Sequence, residues 1–257
     1  MSKVRVPGLS DAEQAALNAM IDQLVAKTPR NMLRSAYYDG KRAAAEMAGI
    51  SIPPEVQRTK IVLGWASKAV DILNDRCNLD GFTTSTDVDL DSLGLSELWQ
   101  DNYLDIEAPQ VGTSSLIHAV AWLITTPRET DDEPPVVITA KDALSGTGLW
   151  DRRMRKLTAF LSVHQTNDDG ELADFSLYVP NKVIHCRRTS TGWDTDDVGH
   201  RFGVPVEPLP YSPRLSRPFG SSRISRVVMS LHNAAIRTAL RSEITAELYS
   251  VPQRVLL

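Results

Sequence analysis

From Gly220 to about Ser250 the chain carries no proline and no second glycine, and this stretch constrains everything packed around it. Ile224, Val227, Val228, Leu231, Ala234, Ala235, Thr238, Ile244 and Leu248 recur there at the spacing that lines one side of a helix. At about 1.5 Å per residue the helix would be roughly 40 Å long. Gly220-Ser221-Ser222 ahead of it reads as its N-cap, since serine oxygens accept free backbone N–H groups. An anion held at that helix start is the alternative.

The opposite end of the chain predicts more helices. Ser10-Asp11-Ala12-Glu13 has the capping-box form, and Leu17, Met20, Ile21, Leu24 and Val25 follow on one face. Lys27-Thr28-Pro29 ends this helix, and a second runs from about Pro29 to Met47, closed by Gly49. Pro53-Pro54 marks a break. A third helix, about Thr59 to Arg76, places Ile61, Val62, Trp65, Ala69, Ile72 and Leu73 on a broad apolar stripe. After the polar stretch Thr83–Asp91 come a short helix from Leu93 to Tyr103 and another from Asp105 to Val120.

Strands fill the middle. Ala121–Thr126 and Val136–Ala140 pair across an acidic, proline-flanked turn at Pro127–Pro135. Leu157–His164, Glu171–Val179 and Val183–Arg188 form a small antiparallel sheet, divided by Asp169-Gly170 and Pro180-Asn181. Gly192 to Gly203 reads as a loop. Three prolines between Pro205 and Pro210 make that segment extended, and Ser212–Phe219 continues as a connection. The fold class is therefore α+β, mainly helical.

Charge is spread unevenly. The net value is −4 over 257 residues. Yet Asp71 to Trp150 holds 15 acidic residues against 3 basic, while Pro210 to Leu257 holds 7 arginines against 2 glutamates. Such segments meet different neighbours, or they are two ordinary solvated faces. The acidic balance argues against tight DNA binding. Leu116–Ile124 is the longest apolar run and carries His118, far short of the roughly 18 residues of a membrane span. Met1–Leu9 lacks the apolar core of a secretory signal. Cys77 and Cys186 form no disulfide framework or zinc pattern, so a reduced, intracellular setting is expected.

Reactive constellations fail on spacing. Asp87-x-Asp89-x-Asp91 opens like a calcium loop, but Ser92 and Leu98 stand where glycine and glutamate are needed. His185 and Cys186 are adjacent and point to opposite faces of a strand. His118, His164, His185, His200 and His232 show no metal-ligand spacing. Gly146-x-Gly148 lacks the rest of a dinucleotide fingerprint. No catalytic, cofactor-binding or metal-binding residue is assigned.

The order of segments resembles the portal proteins of tailed bacteriophages, the SPP1-type family, in particular those of phages infecting actinobacteria. The matching stretches are Tyr37-Tyr-Asp-Gly40, the Trp65–Arg76 helix leading into Leu79-Asp-Gly-Phe82, and Leu98-Trp-Gln-Asp-Asn-Tyr-Leu-Asp105. Leu177-Tyr-Val-Pro180, Val204-Pro-Val-Glu-Pro-Leu209, Gly220-Ser-Ser-Arg-Ile224 and Ala246-Glu-Leu-Tyr-Ser-Val-Pro-Gln-Arg254 follow in the expected order.

The resemblance implies a structural, non-enzymatic ring subunit, usually in a dodecamer, at the virion vertex through which double-stranded DNA passes. It implies a wing over residues 1–219, helical over 1–120 and α/β over 121–219. A long stem helix over 220–250 and the start of a clip at 251–257 complete it. Implied partners are further copies of the chain, the terminase large subunit, head-completion or adaptor proteins and the major capsid protein, with assembly in the host cytoplasm and no membrane. Family members are roughly twice as long, so a fragment or divided product ending near the stem–clip border is expected. Arg223, Arg226, Arg237 and Arg241 are candidates for subunit contacts or the channel wall, or else for a plain solvent face. A non-enzymatic adaptor docking through the long helix is the alternative reading.

Overall fold

The computed structural model describes residues 3–41, 61–83 and 91–250, with side chains described for all of these except residues 91 and 247–250. Helix α1 spans Asp11–Tyr38, α2 Trp65–Asn74, α3 Leu95–Asp101, α4 Leu104–His118 and α5 Arg226–Ser250. The strands are β1 Val120–Pro127, β2 Val136–Lys141, β3 Gly146–Asp151, β4 Lys156–Thr166, β5 Leu172–Val179, β6 Lys182–Thr189, β7 Gly192–Gly199 and β8 Val206–Pro210. All pairings are antiparallel, in one sheet of order β2-β1-β8 and another of order β3-β4-β5-β6-β7. The α+β class holds. Among the described residues eight strands stand beside the helices, however, so a mainly helical make-up is not what the structure shows, and residues 120–210 contain no helix.

Alternation along the five-stranded sheet builds two cores. Ala159, Leu161 and Val163 of β4 face Leu17, Met20, Ile21 and Leu24 of α1, together with Phe175, Leu177, Ile184 and Cys186. On the other face Phe160, Tyr178 and Val183 meet Val120, Trp122 and Ile124 of β1. A bulge beside Thr158 lets Leu157 share the face of Phe160, three residues away. The Gly146-x-Gly148 pair belongs to this packing. A Cβ on Gly146 would sit 2.8 Å from the Phe160 ring, and one on Gly148 would sit 2.7 Å from Leu157. The glycines let β3 approach those side chains, which is a structural use unrelated to nucleotides.

Helix α1 corrects the expected break at Pro29. The capping box forms, with the Glu13 carboxylate accepting from Ser10 N at 2.8 Å. The helix then runs through Pro29 to Tyr38, about 42 Å. Pro29 and Val25, whose carbonyl loses its helical partner, both lie on the exposed side. Beyond Pro29, Tyr37 joins a third core with Ala66, Val70, Leu116, Ile117 and Ile224. Packing at both ends of one rod outweighs the missing hydrogen bond. The expected helix end at Met47, Gly49 and the Pro53-Pro54 break lie outside the described residues.

Other boundaries shift for similar reasons. Helix α2 begins at Trp65; Ile61 and Leu63 precede it, non-helical, and pack beside Ile236 and Leu240 of α5. Its buried residues are Ala66 and Val70, while Trp65 and Ile72 of the expected stripe are exposed. Tyr103, at φ +49°, separates α3 from α4, and the preceding Asn102 is a lock. Its side-chain Nδ2 donates to Leu98 O and Val136 O, and its side-chain Oδ1 accepts from Ile138 N at 2.6 Å. The expected loop at Gly192 is strand β7, paired with β6 along its whole length. Asp194, Asp196 and Asp197 suit an exposed edge that must not pair further. Strand β8 tolerates its prolines as the opposite kind of edge, beside β1.

Candidate functional site

The long C-terminal helix is positioned by the end of α4. Four carbonyls there have no intrahelical donor, and each finds one elsewhere. Leu116 O accepts from Arg223 N at 2.8 Å and Ile117 O from Ser222 Oγ at 2.6 Å. His118 O accepts from Arg34 Nη1 at 3.2 Å and Ala119 O from Tyr211 N at 2.9 Å. The arginine also places a cation at the negative end of the helix dipole. Gly220, at φ +74°, fits between Tyr211 and Ala119, whose carbonyls a Cβ would strike. The Gly220-Ser221-Ser222 motif is thus the clasp that joins the end of α4 to the α5 lead-in, while Arg34 ties α1 to the same end.

It is not the helix cap. Helix α5 starts at Arg226, and Ser225 caps it, accepting Val228 N on Oγ at 3.3 Å and Met229 N on its carbonyl at 3.0 Å. The expected start lies six residues early, because the serine run invites a cap one segment too soon.

Helix α5 packs through His232, Ile236 and Leu240, which are buried, with Met229, Asn233 and Ile244 beside them. Tyr37 makes an edge contact to His232 at 5.4 Å and donates to Asn233 Oδ1 at 2.9 Å. Burial pushes the His232 imidazole below its ordinary pKa. This face takes in only part of the expected stripe: Ile224 and Ile244 pack, and much of the remainder turns outward. Val227 and Leu231 of that stripe are 67% and 60% exposed, and Ala234 and Thr238 are exposed with them. The helix therefore has an apolar face that nothing in the described fold covers.

The candidate arginines divide. Arg223 precedes the helix and, although exposed, lies against α2, its Nε donating to Ala69 O at 3.2 Å. Arg226, Arg237 and Arg241 share one exposed stripe at i, i+11 and i+15, adjoining the Val227–Leu231 face. None of the three makes an ion pair among the described residues. The exposed apolar face is legible in the sequence only as part of a helix. Choosing which side packs requires knowing that His232 and Asn233 have partners on α1.

Chemistry elsewhere is structural. Ser176 Oγ bridges His164 Nε2 and His185 Nδ1, both at 2.8 Å, across three strands. Burial first, then Lys141 and His185, holds the His164 pKa down. Cys186 sits on the other face, in the α1 core, as the alternation of β6 requires. Among the described residues no group of three or more His, Cys, Asp or Glu could hold a metal, and no helix is long and apolar enough to cross a membrane. Asp87 and Asp89 of the calcium-like run lie outside the described residues.

Comparison with known sequences addresses the chain as a whole. Residues 17–238 match the family described as phage portal protein, SPP1 Gp6-like. The portal protein of Mycobacterium phage L5 is 28% identical over 260 residues, covering 98% of this chain and 53% of that protein. The portal protein of Mycobacterium phage D29 is 30% identical over 237 residues, covering 86% of this chain and 47% of that protein. The chain spans about half the length of the curated relatives it matches.

Proposed function

The chain belongs to the SPP1 Gp6-like family of phage portal proteins, and we propose that it forms part of the ring at the capsid vertex through which double-stranded DNA is packaged and ejected. The family match over residues 17–238 carries this reading. A closed ring of identical copies joins one face of each subunit to a different face of the next. The uncovered side of α5, with Val227 and Leu231 beside Arg226, Arg237 and Arg241, suits one half of such a contact. The acidic segment between Asp71 and Trp150 supplies charge of the opposite sign for the other half.

In this reading residues 1–219 are the wing, 220–250 lead into and form a stem helix, and 251–257 begin the clip. The 25 residues of α5 give the stem about 37 Å. The ring works without catalysis. It docks the terminase large subunit during packaging and head-completion or adaptor proteins afterwards, within the shell of the major capsid protein. Assembly takes place in the host cytoplasm, and the product resides in the virion. DNA must slide through, so a chain of net charge −4 favours passage over capture.

Mass and image test the ring. Closed rings with a central hole, lost in Leu231→Asp and in the Arg237→Glu/Arg241→Glu pair without a fall in melting temperature, are expected. A stable 28.4 kDa monomer in every preparation rejects the ring and favours an adaptor that docks through α5. Tight, sequence-independent DNA binding by the ring at moderate salt would reject low-friction passage.

A further inference from the structure

A cavity of about 300 Å³ lies between α1, the α4–β1 junction, β3 and the connection that leads to α5. Its charged wall has a single sign. Lys27, Arg30 and Arg34 come from α1, and Arg217 comes from the connection. No carboxylate lines the cavity, and none of the four cations makes an ion pair among the described residues. Arg34 spends one nitrogen on Asn31 Oδ1 and His118 O, both at 3.2 Å, and keeps the remaining donors of its fork. The Lys27 ammonium stands 5.4 Å over the Phe219 ring.

Gathering these charges without a counter-ion is unfavourable, and the groups register it. Burial, then Arg30, pushes Lys27 down to about 8. Burial, then Arg30 and Arg217, pushes Arg34 down to about 10. Polar groups in the same wall also lack partners. Ser221 Oγ, Trp122 Nε1 and His118 Nδ1 are buried with no hydrogen bond, in residues of which Trp122 is 1% and His118 8% exposed. An anion seated among the cations would complete the charge balance that the protein leaves open.

We infer that this cavity binds a phosphate group, held by the guanidinium groups of Arg30, Arg34 and Arg217 and the ammonium of Lys27. Three arginine forks offer more donors, in more directions, than the two oxygens of a carboxylate can accept, and they match a tetrahedral oxyanion. Arg30 and Arg217 are exposed and stand at the mouth, whereas Lys27 and Arg34 are half-buried behind them. The bound group would tie α1 to the connection just ahead of the Gly220 clasp, bracing the root of α5. Its source is either free inorganic phosphate or the phosphodiester backbone of a nucleic acid. The inference concerns the single chain and does not depend on ring formation.

The test is titration of the 257-residue chain with inorganic phosphate at constant ionic strength, read by calorimetry and by phosphorus NMR. A saturable isotherm is expected, weakened at least about tenfold in the Arg30→Gln/Arg217→Gln variant. Without phosphate that variant should melt at the same temperature as the parent or higher, because two uncompensated charges are gone. Competition by a short DNA duplex identifies the phosphodiester as the source. Phosphate binding with no competition identifies the free ion. The inference is overturned by no saturable binding, by an isotherm unchanged in the variant, or by equal phosphate stabilisation of both proteins.

Discussion

Ser222→Ala should cost far more stability than loss of a single hydroxyl suggests. Ser222 is 8% exposed, and its oxygen acts twice. It donates to Ile117 O at 2.6 Å and accepts from Ile224 N at 3.0 Å. Alanine keeps the Cβ, so packing is nearly conserved, but it leaves a buried carbonyl and a buried N–H with no partner. Each orphaned group costs about 1–3 kcal/mol, so the loss should be about 2–6 kcal/mol. Ser242→Ala is the matched control, since its hydroxyl donates only to Thr238 O within an exposed helical turn. That change should stay within about 0.5 kcal/mol. Urea unfolding followed by circular dichroism measures both, and the Ile224 amide should also exchange faster in Ser222→Ala. A cost for Ser222→Ala no larger than the control's would refute the clasp as the element that positions α5.

Gly220→Ala should be more destabilising than Gly170→Ala in the same unfolding assay. Both glycines have φ +74°, but only the Gly220 Cβ meets backbone, so Gly170→Ala should cost about 1–2 kcal/mol and Gly220→Ala more. Ser10→Ala should cost about 1 kcal/mol near neutral pH. Burial opposes ionisation of Glu13, but hydrogen bonds from Ser10 and Lys182 outweigh it and hold the carboxyl below its ordinary value. Its contribution is therefore full above the ordinary glutamate pKa and fades as pH falls through the lowered one, which acid-side urea titrations will show. A thiol reagent should label Cys77, which is exposed, in the native chain, and Cys186 only after unfolding. Cys186 is buried, and burial, with Asp174 adding, pushes its thiol up to about 12.

Local chemistry accounts for the features that are legible in the sequence. The Ser10–Glu13 capping box forms between residues three apart, and the β1–β2, β4–β5 and β5–β6 pairings follow from alternation and nearby turns. The break expected at Pro29 fails because proline's penalty is local, whereas α1 is held by cores at its two ends. Strand β7 escapes a reading by propensity because aspartate and glycine disfavour strands in general, although an exposed edge accepts them. The packed face of α5 is not the whole expected stripe, since Val227 and Leu231 of that stripe are exposed while Ile236 and Leu240 are buried. Tyr37, from far earlier in the chain, instead supplies partners that let His232 and Asn233 face inward.

The order of residues alone settles the α+β class and the family resemblance, since both rest on short-range spacing and on segment order. It also sets the long reach of the C-terminal helix, because about 25 residues without a breaker have one regular conformation available. Folding in three dimensions decides which face of that helix stays uncovered and which cations meet. Those outcomes depend on contacts such as Ser222 to Ile117, and on Arg217 reaching the arginines of α1, between residues that no local spacing connects.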